Sequence, residues 1–148
     1  MSKTGCGGKA IVPSIFDDDH FEVLTSTVQS AGKGLFTKVE ILPGDTIGEY
    51  SGVILTDEQV ESSQYIGSDY VLWICKDCNI LGEGPTASYT RYINHSSNPN
   101  ARFVCSTRWK KARVEALSNI FPGQEIFVDY GPYYWEAKGI LYDNSIWR

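Results

Sequence analysis

The sequence predicts one mainly β domain made of short strands, many turns and few short helices. Short runs of β-branched and aromatic residues recur along the chain, and glycines and prolines separate them at close intervals. One segment is reasonably predicted as a helix, because it has the acids and the capping residue of a helix start. The 148 residues suit one domain, and a hydrophobic content of 42% is sufficient for a core.

The strands and the helix can be placed in chain order from these patterns. The helix is predicted over residues 57–62, because Thr56 can cap its first turn and two acids follow directly. A second short helical turn is expected just before Asn94. The predicted strands are residues 21–28, 34–38, 46–55, 69–75, 79–81, 101–105, 111–116 and 125–129.

The sequence contains two similar segments, in each of which two apolar residues come directly before the dipeptide Pro-Gly. These dipeptides are Pro43-Gly44 and Pro122-Gly123. Proline followed by glycine is typical of a type II turn. Each segment is therefore predicted to turn and then enter a strand.

Charge and composition narrow the classes of function. The formal net charge is −5 and the pI is about 5.0, which argues against strong nonspecific binding to nucleic acid and favours a basic protein or peptide partner. The basic run at residues 108–111, with Arg113, is interpreted as a solvated strand or hairpin face, with a docking patch as the alternative. No run approaches the roughly 18 apolar residues of a membrane span, and no secretory signal is visible, so an intracellular protein is expected.

The cysteines do not form a complete zinc pattern. Cys75 and Cys78 make one CxxC pair, whereas a structural zinc site takes four ligands. The two histidines, His20 and His95, are not at zinc-finger spacing. We expect no metal site and interpret the pair as thiols in or near a strand, with a zinc site as the alternative.

Several residues could carry chemistry, and each has a plainer interpretation. The step from Gly32 to Gly34 lets backbone amides approach a ligand, but it lacks the third glycine of a dinucleotide site. His95 is either a general base or a structural histidine in a polar turn. Tyr130 is either a core residue near a strand end or a hydroxyl that orients an amine.

Four segments together resemble the SET-domain protein lysine methyltransferases, in the order found in that family. They are residues 32–34 (GKG), 49–52 (EYSG), 91–100 (RYINHSSNPN) and 123–131 (GQEIFVDYG). The family patterns for the last two are Arg-Phe-Ile-Asn-His-Ser-Cys-x-Pro-Asn and Gly-Glu-Glu-Leu-x-Phe/Tyr-Asp-Tyr. The resemblance implies a β-clip-like fold of several small sheets, with a knot-like core in which the C-terminal segment threads the third motif.

The resemblance also implies boundaries, a methyl donor and a site. Residues 1–20 would be an N-terminal extension with a first strand, residues 21–135 the SET domain and residues 136–148 an aromatic flap. The donor would be S-adenosylmethionine, and the acceptor a lysine of a basic protein, most simply a histone tail. Tyr50 and Tyr130 would be catalytic, and with Val128 would line the lysine channel. The residues implied at the donor are Ala31, Gly32, Lys33, Gly34, Asp69, Tyr70, Arg91, Asn94, His95 and Tyr134.

Two departures from the family pattern bear on function. Ser97 replaces the motif cysteine and no cysteine follows Cys105, so no closing zinc is expected. Val128 replaces a Phe or Tyr that influences how many methyl groups are added, which favours di- or trimethylation. A non-histone lysine methyltransferase and an inactive SET-like peptide-binding module remain alternatives. We expect a monomer or homodimer, located in the nucleus or on chromatin if histones are the substrate, with no direct binding to nucleic acid or membrane.

Overall fold

The computed structural model describes residues 2–3 and 14–131, with side chains for residues 14–131. Strands far outnumber helical segments among these residues, which confirms the mainly β prediction. The predicted flap at residues 136–148 lies outside them, as does Tyr134. The strands are β1 (Ser2–Lys3), β2 (Phe21–Thr25), β3 (Lys33–Thr37), β4 (Thr46–Tyr50), β5 (Val53–Leu55), β6 (Val71–Cys75), β7 (Cys78–Leu81), β8 (Asn94–His95), β9 (Ala101–Ser106), β10 (Lys111–Ala116) and β11 (Phe127–Val128).

The strands form several small sheets rather than one large one, as expected for this fold. One sheet has the order β1-β6-β7-β5, and a second has the order β4-β10-β9. The antiparallel pair β2-β3 and the parallel pair β8-β11 complete the set within the described residues. The parallel pair is short, and it joins the third and fourth sequence motifs.

The strand predicted over residues 46–55 is wrong as a single element. The chain breaks after Tyr50, so that β4 belongs to one sheet and β5 to another. Gly52 lies at the break, where a Cβ atom would overlap the backbone carbonyl of Leu81. A glycine is therefore needed for the chain to pass β7 at this point.

The helical segments among the described residues are short, and two of the three begin where the sequence predicts. Helix α1 (Asp57–Val60) ends earlier than predicted, but Thr56 caps it: its hydroxyl accepts from the Gln59 N–H at 3.2 Å. A 3-10 turn, Tyr89–Tyr92, leads to Asn94 as expected, and another covers Asp18–His20. The helices in residues 14–131 are far shorter than the roughly 20 residues that a membrane-spanning helix needs.

The two Pro-Gly steps form the predicted turns and lie side by side. Gly44 and Gly123 both have a φ of 89°, the value that a type II turn requires at its third residue. Ile41 and Ile120, just before the two turns, exchange backbone hydrogen bonds of 2.8 and 2.9 Å. Both isoleucines are fully buried, so the turns anchor their strands in the core.

The main core lies beneath β3, β4, β10 and the β8-β11 pair. Its fully buried members include Leu35, Ile47, Val114, Ile126 and Val128. Burying each such side chain contributes about 1.5–3 kcal/mol to folding. Since the core residue Ile93 precedes Asn94 in the chain and the core residue Val128 pairs with His95 in the sheet, this polar pair is held at the edge of the core.

A second core cluster contains Tyr50, Cys78 and Cys105. Cys75 is the last residue of β6 and Cys78 is the first residue of β7, and the two lie opposite each other across a tight hairpin. This agrees with the prediction of thiols in strands. Within residues 14–131, no group of three or more His, Cys, Asp or Glu side chains is arranged to hold a metal ion.

The basic run divides into two parts. Residues 107–111 form the exposed tip of the β9-β10 hairpin, as predicted for a solvated face. Arg113 does not belong with them: it is buried, lies 2.8 Å from the Glu115 carboxylate and donates to the Thr46 hydroxyl.

Candidate active site

The third and fourth motifs meet in a short parallel ladder. Asn94 and His95 of β8 pair with Phe127 and Val128 of β11. Asn100 fastens the same two segments, because its side chain donates to the Glu125 carbonyl at 2.9 Å and accepts from the Phe127 N–H at 2.8 Å. The polar motif is thus held by backbone that lies about thirty residues further along the chain.

A cavity of about 730 Å³ opens beside this ladder. Its volume is in the range of pockets for small molecules and cofactors. Gly34 is the only described residue of the predicted donor set that does not line it. The lining residues are Val28, Ser30, Ala31, Gly32, Lys33, Asp69, Tyr70, Arg91, Tyr92, Asn94, His95, Ser96, Ser97 and Tyr130.

Arg91 supplies a half-buried positive charge to the wall of this cavity. Its guanidinium lies 4.3 Å from the centre of the Tyr70 ring and 5.1 Å from that of Tyr92. Its Nε is buried and has no hydrogen-bond partner among residues 14–131. A buried donor without a partner is costly, so this atom suits a ligand acceptor.

A second, much smaller cavity of about 20 Å³ adjoins the first. The two share Asp69, Arg91 and Tyr130. The other residues of the smaller cavity have aliphatic or aromatic side chains, although its exposed surface is more polar than apolar. Its remaining lining residues are Tyr50, Val71, Leu72, Ile93 and Phe103.

Tyr130 stands between the cavities and is anchored at both ends. Its backbone N–H donates to His95 Nδ1 at 2.9 Å, and its hydroxyl donates to the Ile93 carbonyl at 2.7 Å. Tyr50 is held similarly, since its hydroxyl donates to the Tyr70 carbonyl at 2.6 Å. The structure thus brings the two predicted catalytic tyrosines to the same small cavity.

His95 is held in its neutral form by its surroundings. Burial lowers the pKa of His95, and the Asp129 carboxylate, with an oxygen 3.6 Å from Nδ1, opposes the shift only in part. Because Nδ1 accepts the Tyr130 N–H, the ring proton belongs on Nε2. The bond between His95 Nδ1 and the Tyr130 backbone is a contact of the kind expected for a structural histidine.

Val128 is placed differently from the other predicted channel residues. It is fully buried in the main core and lines neither cavity. Phe103 of β9 lines the smaller cavity instead, with its ring edge-on to Tyr50 at 5.6 Å. Sequence analysis missed Phe103, because a strand aromatic outside the motifs gives no sign of which cavity it will face.

Glu125 is the second residue that sequence analysis missed. It precedes β11, and its carboxylate is buried next to the loop that lines the larger cavity. It accepts hydrogen bonds from Ser26, Thr27 and Asn94. Its only sequence signal was its position in the fourth motif.

The family model of the SET domain matches residues 32–131, and the fold and the paired cavities agree with this match. The protein therefore belongs to the SET domain family. Its curated relatives include the histone-lysine N-methyltransferase NSD3 of Mus musculus, 32% identical over 67% of this chain. The "H3 lysine-36 specific" enzyme of Homo sapiens is 32% identical over 67% of the chain, and the "H3 lysine-4 specific" enzyme of Cryptococcus neoformans is 33% identical over 67%. The matched region covers only 7%, 4% and 7% of these three relatives.

Proposed function

We propose that the protein is an S-adenosylmethionine-dependent protein-lysine N-methyltransferase that acts on a histone tail. The observation that carries the proposal is the position of Tyr130 between a cofactor-sized cavity and a narrow aromatic one. A methyl donor and a lysine side chain can approach each other from opposite sides of such a junction. The family and the names of its relatives support the same reaction.

The larger cavity has the chemistry that S-adenosylmethionine requires. The donor carries a carboxylate, for which the buried Arg91 Nε and the guanidinium charge are suited. Gly32 has open space around it, so backbone can approach the ligand closely. Lys33, Asp69 and Asn94 add polar groups of both signs along the wall.

When bound, S-adenosylmethionine supplies an activated methyl group for direct transfer to an amine. The chain's own contribution is mainly positioning, which can lower a barrier by roughly 7–11 kcal/mol. Tyr50 and Phe103 enclose the lysine stem and exclude water. Because the Tyr130 hydroxyl donates its own proton to the Ile93 carbonyl, its oxygen can accept from the lysine amine and orient it. Burial in this channel lowers the pKa of the substrate lysine and favours the neutral amine.

Histone as the substrate is a proposal from charge and from relatives. The net charge of −5 attracts a basic tail, and the curated relatives are histone-lysine N-methyltransferases. Two of the relatives are named for different lysines of H3, so no single target lysine is favoured. A nuclear or chromatin location follows from this substrate. A non-histone target and an inactive peptide-binding module are the other candidates.

Di- or trimethylation remains our proposal for the product. It was predicted from Val128, which brings no hydroxyl to the channel. The residue in the channel wall, Phe103, brings none either. Because Val128 lines neither cavity, the proposal depends on Phe103, whose side chain offers no anchor to a water molecule that could block a second methylation.

The test is transfer of labelled methyl from S-adenosylmethionine to core histones, with donor binding measured by calorimetry. Tyr130→Phe is the test variant, and Tyr65→Phe, at a residue that lines neither cavity, is the matched control. We expect label on one histone, lost in Tyr130→Phe by a factor of about 10²–10⁴ and retained in the control. Donor binding without histone labelling would move the substrate elsewhere, and absence of donor binding would refute the proposed activity.

A further inference from the structure

Glu125 joins three segments of the chain that are far apart in sequence. Only 5% of the residue is exposed. Oε1 accepts from the Thr27 N–H at 2.8 Å and from the Thr27 hydroxyl at 2.7 Å. Oε2 accepts from the Ser26 hydroxyl at 2.7 Å and from the Asn94 amide at 3.3 Å. We call Glu125, Ser26, Thr27 and Asn94 the carboxylate clasp.

The clasp consists of hydrogen bonds from neutral donors. No Lys, Arg or His within residues 14–131 lies at ion-pair distance from Glu125. Buried carboxylates are costly unless they are paired or fully hydrogen-bonded. Here each oxygen has two donors, so the acceptors are satisfied by directional contacts that fix the donor groups in place.

The second glycine of the Gly-x-Gly step is explained by the same carboxylate. A Cβ atom on Gly34 would overlap the Glu125 carboxylate, although the φ of Gly34 is not one that demands glycine. Gly34 is buried and does not line the larger cavity. Its small size is therefore needed for the clasp and not for contact with a ligand.

The clasp reaches the cavity through both of its arms. One arm holds the start of the loop at residues 26–33, and this loop lines the cavity from Val28 to Lys33. The other arm holds Asn94, whose amide also donates to the Lys33 carbonyl at 2.8 Å. With both N–H groups directed at these acceptors, the carbonyl end of the Asn94 amide is turned away from them.

We propose that Glu125 is a positioning residue of the methyl-donor site, acting through Asn94 and the loop at residues 26–33. The proposal rests on the proposed function for the identity of the donor. It assigns Glu125 no contact with the donor or with the lysine. It fixes the cavity wall before a ligand binds, so that less conformational entropy is lost on binding.

The test variant is Glu125→Gln, which keeps the shape and replaces one acceptor oxygen with an NH₂ group. That group must face either the Thr27 N–H or the Asn94 NH₂, so donor meets donor in both orientations. Calorimetry with S-adenosylmethionine should show a Kd raised by roughly ten- to a hundredfold. The KM for the donor should rise in parallel, while the KM for the histone substrate stays within about twofold of the wild type.

Glu115→Gln is the matched control. Glu115 is also mostly buried, and its oxygens lie 3.3 Å from Arg102 and 2.8 Å from Arg113, away from both cavities. It should lower the melting temperature and leave the donor Kd unchanged. Thr27→Val is the milder variant, since it removes one hydroxyl donor and keeps the backbone contact. A severalfold rise in donor Kd from Thr27→Val alone supports the proposal even if Glu125→Gln does not fold.

Nuclear magnetic resonance of the ligand-free protein separates this proposal from the proposed function. The side-chain NH₂ signals of Asn94 and the amide of Gly32 should shift in Glu125→Gln and stay in place in Glu115→Gln. If the wild type binds the donor and Glu125→Gln binds it equally tightly, the positioning role is overturned and the proposed function stands. If the wild type does not bind the donor, the proposed function fails, and unchanged Asn94 and Gly32 signals in Glu125→Gln would overturn the clasp as well.

Discussion

Adding one methyl group at Gly34 should destabilise the protein because of a single neighbour. The Cβ of Gly34→Ala would meet the Glu125 carboxylate, which is fixed on all sides by its donors. We expect a loss of about 1–3 kcal/mol in the free energy of unfolding, as for other overpacked sites. Once the carboxylate is removed by Glu125→Ala, the next neighbour is Asn94 Nδ2 at 3.2 Å, which a methyl can nearly accommodate. In that background, Gly34→Ala should cost little or even stabilise.

Urea denaturation of the wild type, both single variants and the double variant measures this coupling. We expect a favourable coupling of about 1–2 kcal/mol between Gly34→Ala and Glu125→Ala. Gly32→Ala is the control: nothing lies within 4 Å of its Cβ position, but its φ is 74°. Its cost, about 1–2 kcal/mol, comes from backbone strain and should not change when Glu125 is removed. Additive losses for Gly34→Ala and Glu125→Ala would refute the steric explanation.

Further predictions concern charge, packing and capping. Burial lowers the pKa of His95, so its contribution to stability should be complete above about pH 6.5 and decline as the pH falls toward the native pKa. Urea midpoints against pH would show this, and an identical slope in His95→Gln would contradict it. Val128→Ala should lower the free energy of unfolding by about 2 kcal/mol through lost core packing. Mass spectrometry of its product should show the same methylation state as the wild type; a changed state would place Val128 in the channel. Wild-type product limited to monomethyl-lysine at long times would contradict the proposal of higher methylation. Thr56→Ala should cost about 1 kcal/mol by loss of the α1 cap, and an unchanged denaturation midpoint would show that the cap is unimportant.

Features set by neighbouring residues could be predicted from the sequence. The Thr56 cap and the two Pro-Gly turns depend on contacts within about four residues, and all three are confirmed. The position of Asn94 and His95 beside a cavity followed from the resemblance, which included the order of the motifs. A local pattern is enough in such cases because the same few residues both form and signal the feature.

The parts that could not be predicted depend on distant contacts. The strand over residues 46–55 divides because β7 crosses at Gly52, and nothing near Gly52 in sequence indicates it. The register of each sheet directs the Val128 side chain into the core and the Phe103 side chain to the smaller cavity. Glu125 accepts from residues that precede it by 98 and 99 positions. Propensity and periodicity contain no information at that range.

The two-residue parallel ladder between β8 and β11 has a consequence for the order of folding. The pairing of β8 with β11 and the contact between Glu125 and Ser26 each close a long loop of chain. Closing such loops is slow and contributes little stability until most of the domain is in place. The ligand cavity should therefore be completed among the last events of folding and be lost among the first on unfolding. A small molecule bound there would hold together segments that lie as far apart in sequence as Val28 and Tyr130. At about 100 times its Kd it would add about 2.7 kcal/mol to the stability of the whole domain. Protection from heat by a candidate ligand would then report on the integrity of the entire topology, and not on one pocket.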